Sequence, residues 1–247
     1  MITIEQYYNW FYLDKESANS KISNCKIPLR IAPIKTVNNY ENPKIDNEHF
    51  AFAEKNKNWI IEYFHWLNNF LRIKKNEDPP IFIFDNHNHA PIFRYYTTKE
   101  SKLNPPILIH IDQHSDCREN KETLTINQNE YNFEKVFYFF NKKCNVWNFI
   151  PTSLKSWIIS NQIQIRSISA LKNLKLKTNE NYILDIDLDF CLSWTDRNKT
   201  DTNNINILKT KFHKIWNNVL CTTIATSPYF LDQEIAIKIL STILTDN

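Results

Sequence analysis

Pro106-Ile107-Leu108-Ile109-His110-Ile111-Asp112-Gln113-His114-Ser115-Asp116 is the stretch on which the fold turns. A five-residue apolar run, introduced by a proline pair, stops abruptly in alternating acid, imidazole and acid. Such a run has the length and composition of a strand buried on both faces, as in a parallel sheet. The alternation after it aims Asp112, His114 and Asp116 to one side. Two other stretches follow the same plan. Ile81-Phe82-Ile83-Phe84 runs into Asp85-Asn86-His87-Asn88-His89. Tyr182-Ile183-Leu184 runs into Asp185-Ile186-Asp187-Leu188-Asp189. Ligands of α/β sheets collect outside the carboxyl ends of the strands, so three such ends converge on one crevice.

Between these strands lie helical patterns. Residues 48–74 place Phe50, Trp59, Ile60, Tyr63, Phe64, Trp66, Leu67, Phe70 and Leu71 at three- and four-residue steps, which predicts a helix. Pro91 is placed to open a helix after His89, and Leu208–Val219 and Leu231–Leu244 read as two more. Residues 152–175 hold helical or short-strand material. Thr222-Thr223-Ile224-Ala225-Thr226 is a last short strand, closed by Ser227-Pro228. Turn signals stand at 21–24 and 38–43. Strands alternating with helices predict an α/β domain with a mostly parallel sheet flanked by helices. With 247 residues, no linker and no internal repeat, a single domain over 1–247 is expected. Its metal-site core spans about 80–235, and 1–50 form an N-terminal extension packed on it.

Composition excludes whole function classes. The chain contains no glycine, where an average protein of this size carries about 17. A P-loop, a dinucleotide-binding GxGxxG turn and a GxSxG nucleophile elbow are thereby excluded. Asparagine, which tolerates the left-handed conformation better than most side chains, is the expected substitute in turns. A net charge of +3 is too small for general nucleic-acid binding. No apolar stretch reaches the length of a membrane span, and Met1–Tyr8 lacks the basic region of a secretory signal. Cys25, Cys117, Cys144, Cys191 and Cys221 are odd in number and scattered, against a disulfide framework or a zinc knuckle. A reducing cytoplasm is the expected location.

The acids and imidazoles point to a cation. Asp112, His114 and Asp116 form a donor set for Mn2+, Mg2+, Zn2+ or Fe2+. Asp185, Asp187 and Asp189 on one strand face repel one another, and a cation removes that penalty. Of the histidine pair, His89 stands nearest the helix start and is the expected ligand, with His87 an outer orienting or proton-transfer group. His49, His65, His110 and His213 read as structural. Tyr7, Tyr8, Trp10, Phe11 and Tyr12 form an aromatic cluster that suits the core or a homo-oligomer contact, or else a peptide-docking surface.

In chain order the motifs read His, Asp-x-His-x-Asp, Asp-x-Asp, and this resembles the arginase/deacetylase superfamily of ureohydrolases. The stretches 85–90, 111–116, 184–190 and 224–228 resemble most the peptide arginases, which convert arginine side chains of ribosomally made precursor peptides to ornithine. The resemblance covers roughly residues 80–235. It implies a three-layer arginase-like fold, two Mn2+ ions (Fe2+ and Zn2+ suit the same donors), and a precursor peptide containing arginine as partner. Carried over to this chain, it implies that Asp112 and one acid of the last strand bridge the cations. His89 and Asp116 would complete one site, and His114 and a final aspartate the other. Five-residue apolar lead-ins before both acid sets point to Asp187 and Asp189, with Asp185 deeper as an acceptor. Asp116 would also act catalytically, holding the nucleophile and passing a proton to the leaving amine, and the products would be ornithine and urea. Arginases hold the guanidinium with an acid near the last strand. Residues 224–228 have none, and Asp232 and Glu234 are the expected substitutes. A metal-dependent amidohydrolase or deacetylase, and a non-catalytic peptide-binding scaffold, stay open as alternatives.

Overall fold

The computed structural model describes residues 3–9, 11–13, 27–127, 130–193 and 200–245. Trp10, Cys25 and the turn expected at 21–24 lie outside these residues. In chain order the elements are α1 (Ile4–Tyr7), β1 (Phe11–Leu13), β2 (Leu29–Ile31), β3 (Ile34–Val37), β4 (Ile45–Lys55), β5 (Ile61–Leu67), β6 (Phe70–Ile73), β7 (Ile81–Phe84), α2 (Ala90–Glu100), β8 (Ile107–Ile111), α3 (Phe133–Lys142), α4 (Phe149–Lys155), β9 (Asn161–Ile165), α5 (Ile168–Asn173), β10 (Tyr182–Asp187), α6 (Thr202–Ile215), β11 (Thr222–Ala225) and α7 (Gln233–Leu244).

Among the described residues the central sheet has seven strands in the order β3-β6-β7-β11-β10-β8-β9. The five from β7 to β9 run parallel, β6 runs antiparallel to β7, and β3 runs parallel to β6. The protein is thus α/β with a mostly parallel sheet, and all four residues of β7 and of β11 are buried, as a double-sided strand requires.

Alternation divides the strands between two cores. Phe82, Phe84, Leu108, Ile183 and Ala225 face one side, where Ile92 and Phe93 of α2, Phe137 and Phe140 of α3, and Phe149 of α4 cover them. Ile83, Ile109, Ile111, Leu184, Ile186 and Ile224 face the other, under Leu171 of α5, Leu208 and Phe212 of α6, and Ile239 and Leu240 of α7. The chain therefore leaves β8 toward the first face and leaves β10 toward the second. β8 and β10 are neighbours, so their carboxyl ends diverge and open a crevice between them, the usual binding place in such sheets.

Local signals explain the helix starts. Pro91 stands in the first turn of α2, where a missing N–H costs nothing. The Asp201 carboxylate accepts from the backbone N–H groups of Asn203 and Asn204 to start α6, and Asp232 accepts from those of Glu234 and Ile235 to start α7. The final helix begins two residues after the expected Leu231 for that reason.

Two expectations fail. Residues 48–74 are not a helix but most of β4, with β5 and β6; β4 and β5 form an antiparallel hairpin of their own. The Asn56 side chain accepts from the backbone N–H groups of Asn58 and Ile60, and Trp59 at φ 63° closes the turn. That turn interrupts any helix, and aromatic residues at both helical and alternating spacing then settle into strands. Asparagine also takes only one of the left-handed positions, Asn76. Among the described residues these are Trp59, Asn76, Lys102, Asp116, Trp157 and Ser227. Cys117, Cys144, Cys191 and Cys221 are free thiols, as expected. Among the described residues no helix is long and apolar enough to cross a membrane.

Candidate metal centre

The site grows from two lateral rows on one face of the sheet. The strand register aligns Phe82, Thr223, Asp185 and His110 in one row. One step toward the carboxyl ends, Phe84, Ala225 and Asp187 form the next, which Asp112 continues beyond the end of β8. His87 arrives from above in the 3-10 turn His87–His89 that precedes α2. The row nearer the strand starts supports the row at the rim.

Asp185 is the base of the centre. Its Oδ2 accepts from both imidazoles, 2.9 Å from His87 Nε2 and 2.7 Å from His110 Nδ1. Its Oδ1 takes the Thr223 hydroxyl at 2.6 Å and lies 2.6 Å from Arg94 Nη2. Arg94 itself is fully buried. Burial alone would raise the Asp185 carboxyl, but Arg94 and His87 hold it well below the ordinary carboxylate range. Asp185 therefore sits deeper than the other acids and engages groups that reach the rim.

Above this base two donor sets share one carboxylate. His87 Nδ1 lies 3.1 Å from Asp116 Oδ2, 3.1 Å from Asp187 Oδ2 and 3.4 Å from Asp112 Oδ2. On the other side, His114 Nδ1 lies 3.4 Å from Asp112 Oδ1 and 2.9 Å from Asp189 Oδ2. These atoms fall into groups compact enough to hold a cation: His87, Asp112 and Asp187 in one, and Asp112, His114 and Asp189 in another. His114 is about one-third exposed while the partners of the first set are buried, so the second set faces the open side. The Phe230 ring packs 4.6 Å from the His114 ring there.

The donors fit a cation by a specific test. His87 Nδ1, Asp112 Oδ2 and both carboxylate oxygens of Asp189 are buried without a hydrogen-bond partner. Buried polar atoms are ordinarily satisfied, and one left alone costs about 1–3 kcal/mol. Atoms about 2.1 Å from a common centre lie about 3 Å apart when adjacent in an octahedron, which is the spacing around His87 Nδ1.

Electrostatics agree. Burial and the neighbouring Asp112 push the Asp116 carboxyl up to about 6, and burial with Asp187 and Asp112 raises Asp189 well above its ordinary value. Burial would lower His87, but Asp185, Asp112 and Asp116 hold it well above its ordinary value. The Asp112 and Asp189 carboxylates bring His114 to about 10. Protons compete here for the lone pairs a divalent cation would use.

Backbone strain concentrates at the same place. Asp116 has φ 48° and Ser227 φ 49°, a conformation that is uncommon outside glycine and costs on the order of 1–3 kcal/mol. The twist at Asp116 brings its carboxylate to His87. The Ser227 hydroxyl donates to Asp187 Oδ2 at 2.6 Å and orients it.

Of the expected site residues, the structure brings together His87, Asp112, His114, Asp116, Asp185, Asp187 and Asp189. It does not bring in His89. That ring points back into the first core, where Tyr8, Phe70 and Phe84 surround it and Tyr8 Oη lies 3.3 Å from its Nδ1. Burial lowers it to about 3. His87 instead stands among the carboxylates of Asp112, Asp116 and Asp187, because the 3-10 turn sends the two rings in different directions. Asp232 and Glu234 are not in the cluster either. They line a groove of about 510 Å3 with Tyr63, His65, Tyr229 and Phe230, and the Asp232 carboxylate is used as the cap of α7.

Four participants are not among the expected site residues: His110, Arg94, Thr223 and Ser227. His110 carries a usable signal, since it stands two residues before Asp112 on the same strand face. Arg94 carries a weaker one, as the only charged residue in the first two turns of α2. Thr223 and Ser227 carry none. Tyr7 and Tyr8 pack into the core, Tyr8 stacked on Phe93 and edge-on to Phe137, Tyr7 edge-on to Phe133 and tilted against Phe137, whereas Tyr12 is exposed. In comparison with known proteins, the chain matches no family model and no curated protein sequence.

Proposed function

We propose that this chain is a metal-dependent hydrolase of arginase-like three-layer fold that removes urea from peptidyl arginine, leaving ornithine, in a ribosomally made precursor peptide. One observation carries the hydrolase reading. Asp112 presents one carboxylate oxygen to His87 and the other to His114, so a buried donor set and a half-open one meet on a shared acid at the crevice of an α/β sheet. His87, Asp112, Asp116 and Asp187 would hold the deeper cation, and Asp112, His114 and Asp189 the outer one. Two Mn2+ ions, with Fe2+ and Zn2+ suited to the same donors, supply Lewis acidity when bound and make water nucleophilic near neutral pH.

The chain's own groups do the rest. Asp185 and Ser227 keep His87 and Asp187 in place. Asp116 faces the deeper donors, 3.1 Å from His87 Nδ1, a place from which its carboxylate would take a proton from the nucleophile and return it to the leaving amine. In the net reaction, water adds to the guanidinium carbon, the bond from that carbon to the side-chain nitrogen breaks, and urea leaves. His114 and Phe230 border the half-open side from which a side chain would enter.

A second reading keeps the centre and changes the substrate. Ala225 lies in register with Asp187, where a guanidinium-holding acid would be useful, and Asp232 is engaged as a helix cap. An amide or an acylated amine needs no such acid. Incubating Mn2+-loaded protein with arginine peptides and with acyl-lysine peptides separates the two. Urea release with a matching mass loss supports the first reading, and a free amine with acid release supports the second. If neither substrate changes while metal is bound, the chain is left as a peptide-binding scaffold.

A further inference from the structure

We infer that His110 is a ligand of the deeper cation, making that site a two-imidazole site. The inference rests on the metal-centre reading above and sharpens it. Read from its strand, His110 is an interior residue. Its register places it beside Asp185 and directly below Asp112 on the same face of β8.

The hydrogen bonds select one arrangement. Asp185 Oδ2 accepts from His110 Nδ1 as well as from His87 Nε2. One carboxylate oxygen thus assigns the N–H of both rings, and each ring presents its other nitrogen as a lone pair. A carboxylate behind an imidazole is the usual support of a metal-bound histidine; here one carboxylate supports two. Arg94 and Thr223 secure its other oxygen, which locks the device from behind.

The two free nitrogens then face the same pair of carboxylate oxygens. His110 Nε2 is buried and without a hydrogen-bond partner. It lies 3.3 Å from Asp112 Oδ2 and 4.0 Å from Asp116 Oδ2, the same two oxygens that His87 Nδ1 faces at 3.4 and 3.1 Å. Adjacent donors around a centre with about 2.1 Å bonds are about 3.0 Å apart and opposite ones about 4.2 Å. His110 therefore fits as a neighbour of Asp112 and as the donor opposite Asp116. The rings of His87 and His110 stack 5.3 Å apart at 30°, as two ligands leaning on one carboxylate would. His110, Asp112 and Asp116 also form a compact donor group by themselves.

A second imidazole has a chemical consequence. Nitrogen donors favour Zn2+ and Fe2+ over Mn2+ more than carboxylates do. His110 would thus bias the deeper site toward the more nitrogen-seeking ions.

The test counts nitrogens and measures affinity. The full chain is stripped of metal with chelator, and the His114→Asn variant, which keeps imidazole only in the deeper set, is loaded with one equivalent of Mn2+. Pulsed electron paramagnetic resonance is expected to show two coupled imidazole nitrogens, and one after adding His110→Asn. In calorimetric titration, His110→Asn in the otherwise native chain is expected to weaken the tighter site at least about tenfold, and Zn2+ more than Mn2+. A single coupled nitrogen with Mn2+ bound, or an unchanged tighter site in a folded His110→Asn chain, overturns the ligand assignment and leaves a buried ion pair. Failure of the unaltered chain to bind any divalent cation overturns the metal centre itself, and this inference with it.

Discussion

The two faces of the same four strands are equally buried and chemically opposite. On one face Ile83, Ile109, Ile111, Leu184, Ile186 and Ile224 meet the helices α5, α6 and α7. On the other, Phe82 and Phe84 share the surface with Thr223, His110, Asp112, Asp185 and Asp187, all at 4% exposure or less. The apolar face is stable by removing hydrocarbon from water, about 1.5–3 kcal/mol for each fully buried side chain. The polar face has that resource only at Phe82, Phe84, Leu108, Ile183 and Ala225, and each of its buried carboxylates must be paired or must bind a cation. Arg94 and the imidazoles pair only part of it. The difference teaches that this sheet is built as a scaffold on one side and as a charged socket on the other, with alternation along each strand keeping the two apart.

The sharpest way to break the comparison is to remove the acid shared by both donor sets. Asp112→Ala is expected to abolish binding of both cations, read by metal analysis after equilibration with Mn2+, and Asp187→Ala the deeper one at least. The same loss on the apolar face acts differently. Leu184→Ala should cost about 2–5 kcal/mol of folding stability by denaturant titration while keeping the metal stoichiometry. If Leu184→Ala emptied the centre as thoroughly as Asp112→Ala, the two faces would not be separable.

Cation binding should itself stabilise the polar face. Chelation is expected to lower the thermal midpoint, by a free energy of about 2.7 kcal/mol when Mn2+ is supplied at a hundred times its dissociation constant. Acid probes the support below. With Asp185 held well below the ordinary carboxylate range by Arg94 and His87 against burial, its contribution is fully present above the unfolded value of about 3.9 and is lost as pH falls toward the folded one. Metal-free protein should therefore lose stability in acid, and Asp185→Asn should flatten that slope in denaturation measured across the acid range. The smallest effect belongs outside both faces. Asp232→Ala should cost about 1 kcal/mol as a lost helix cap and leave metal content unchanged. A large rise in KM for an arginine peptide in that variant would instead return Asp232 to the substrate site.

Much of the centre is legible in the amino-acid sequence, for a physical reason. A short apolar run ended by an acid is a local signal, and the strands β7, β8 and β10 fall where such runs predict them, while β11 falls at the short run closed by Ser227-Pro228. The equal lead-ins before Asp112 and before Asp187 and Asp189 are also informative, because neighbouring parallel strands in register end at similar heights. The hairpin of β4 and β5 is not legible in the same way, because residues 48–74 satisfy both a helical and an alternating period. The Asn56–Trp59 turn decides between them through side-chain bonds to the backbone. Nearness to the helix start does not rank His87 and His89, since one 3-10 turn rotates one ring into the socket and the other into the aromatic core.

What the amino-acid order alone determined is which side chains share a strand face and where strands stop, because the two-residue period and the apolar run length are properties of a few adjacent residues. It also determined that no glycine-dependent phosphate or nucleophile loop exists. What only the tertiary structure decided is which faces meet. The placing of β10 between β8 and β11 set Asp185 beside both His110 and Thr223, the burial of α2 delivered Arg94 to it, and the αL turns at Asp116 and Ser227 aimed the last groups. Those contacts join residues up to about a hundred positions apart, such as His87 and Asp185. Their energy depends on packing that no local pattern encodes.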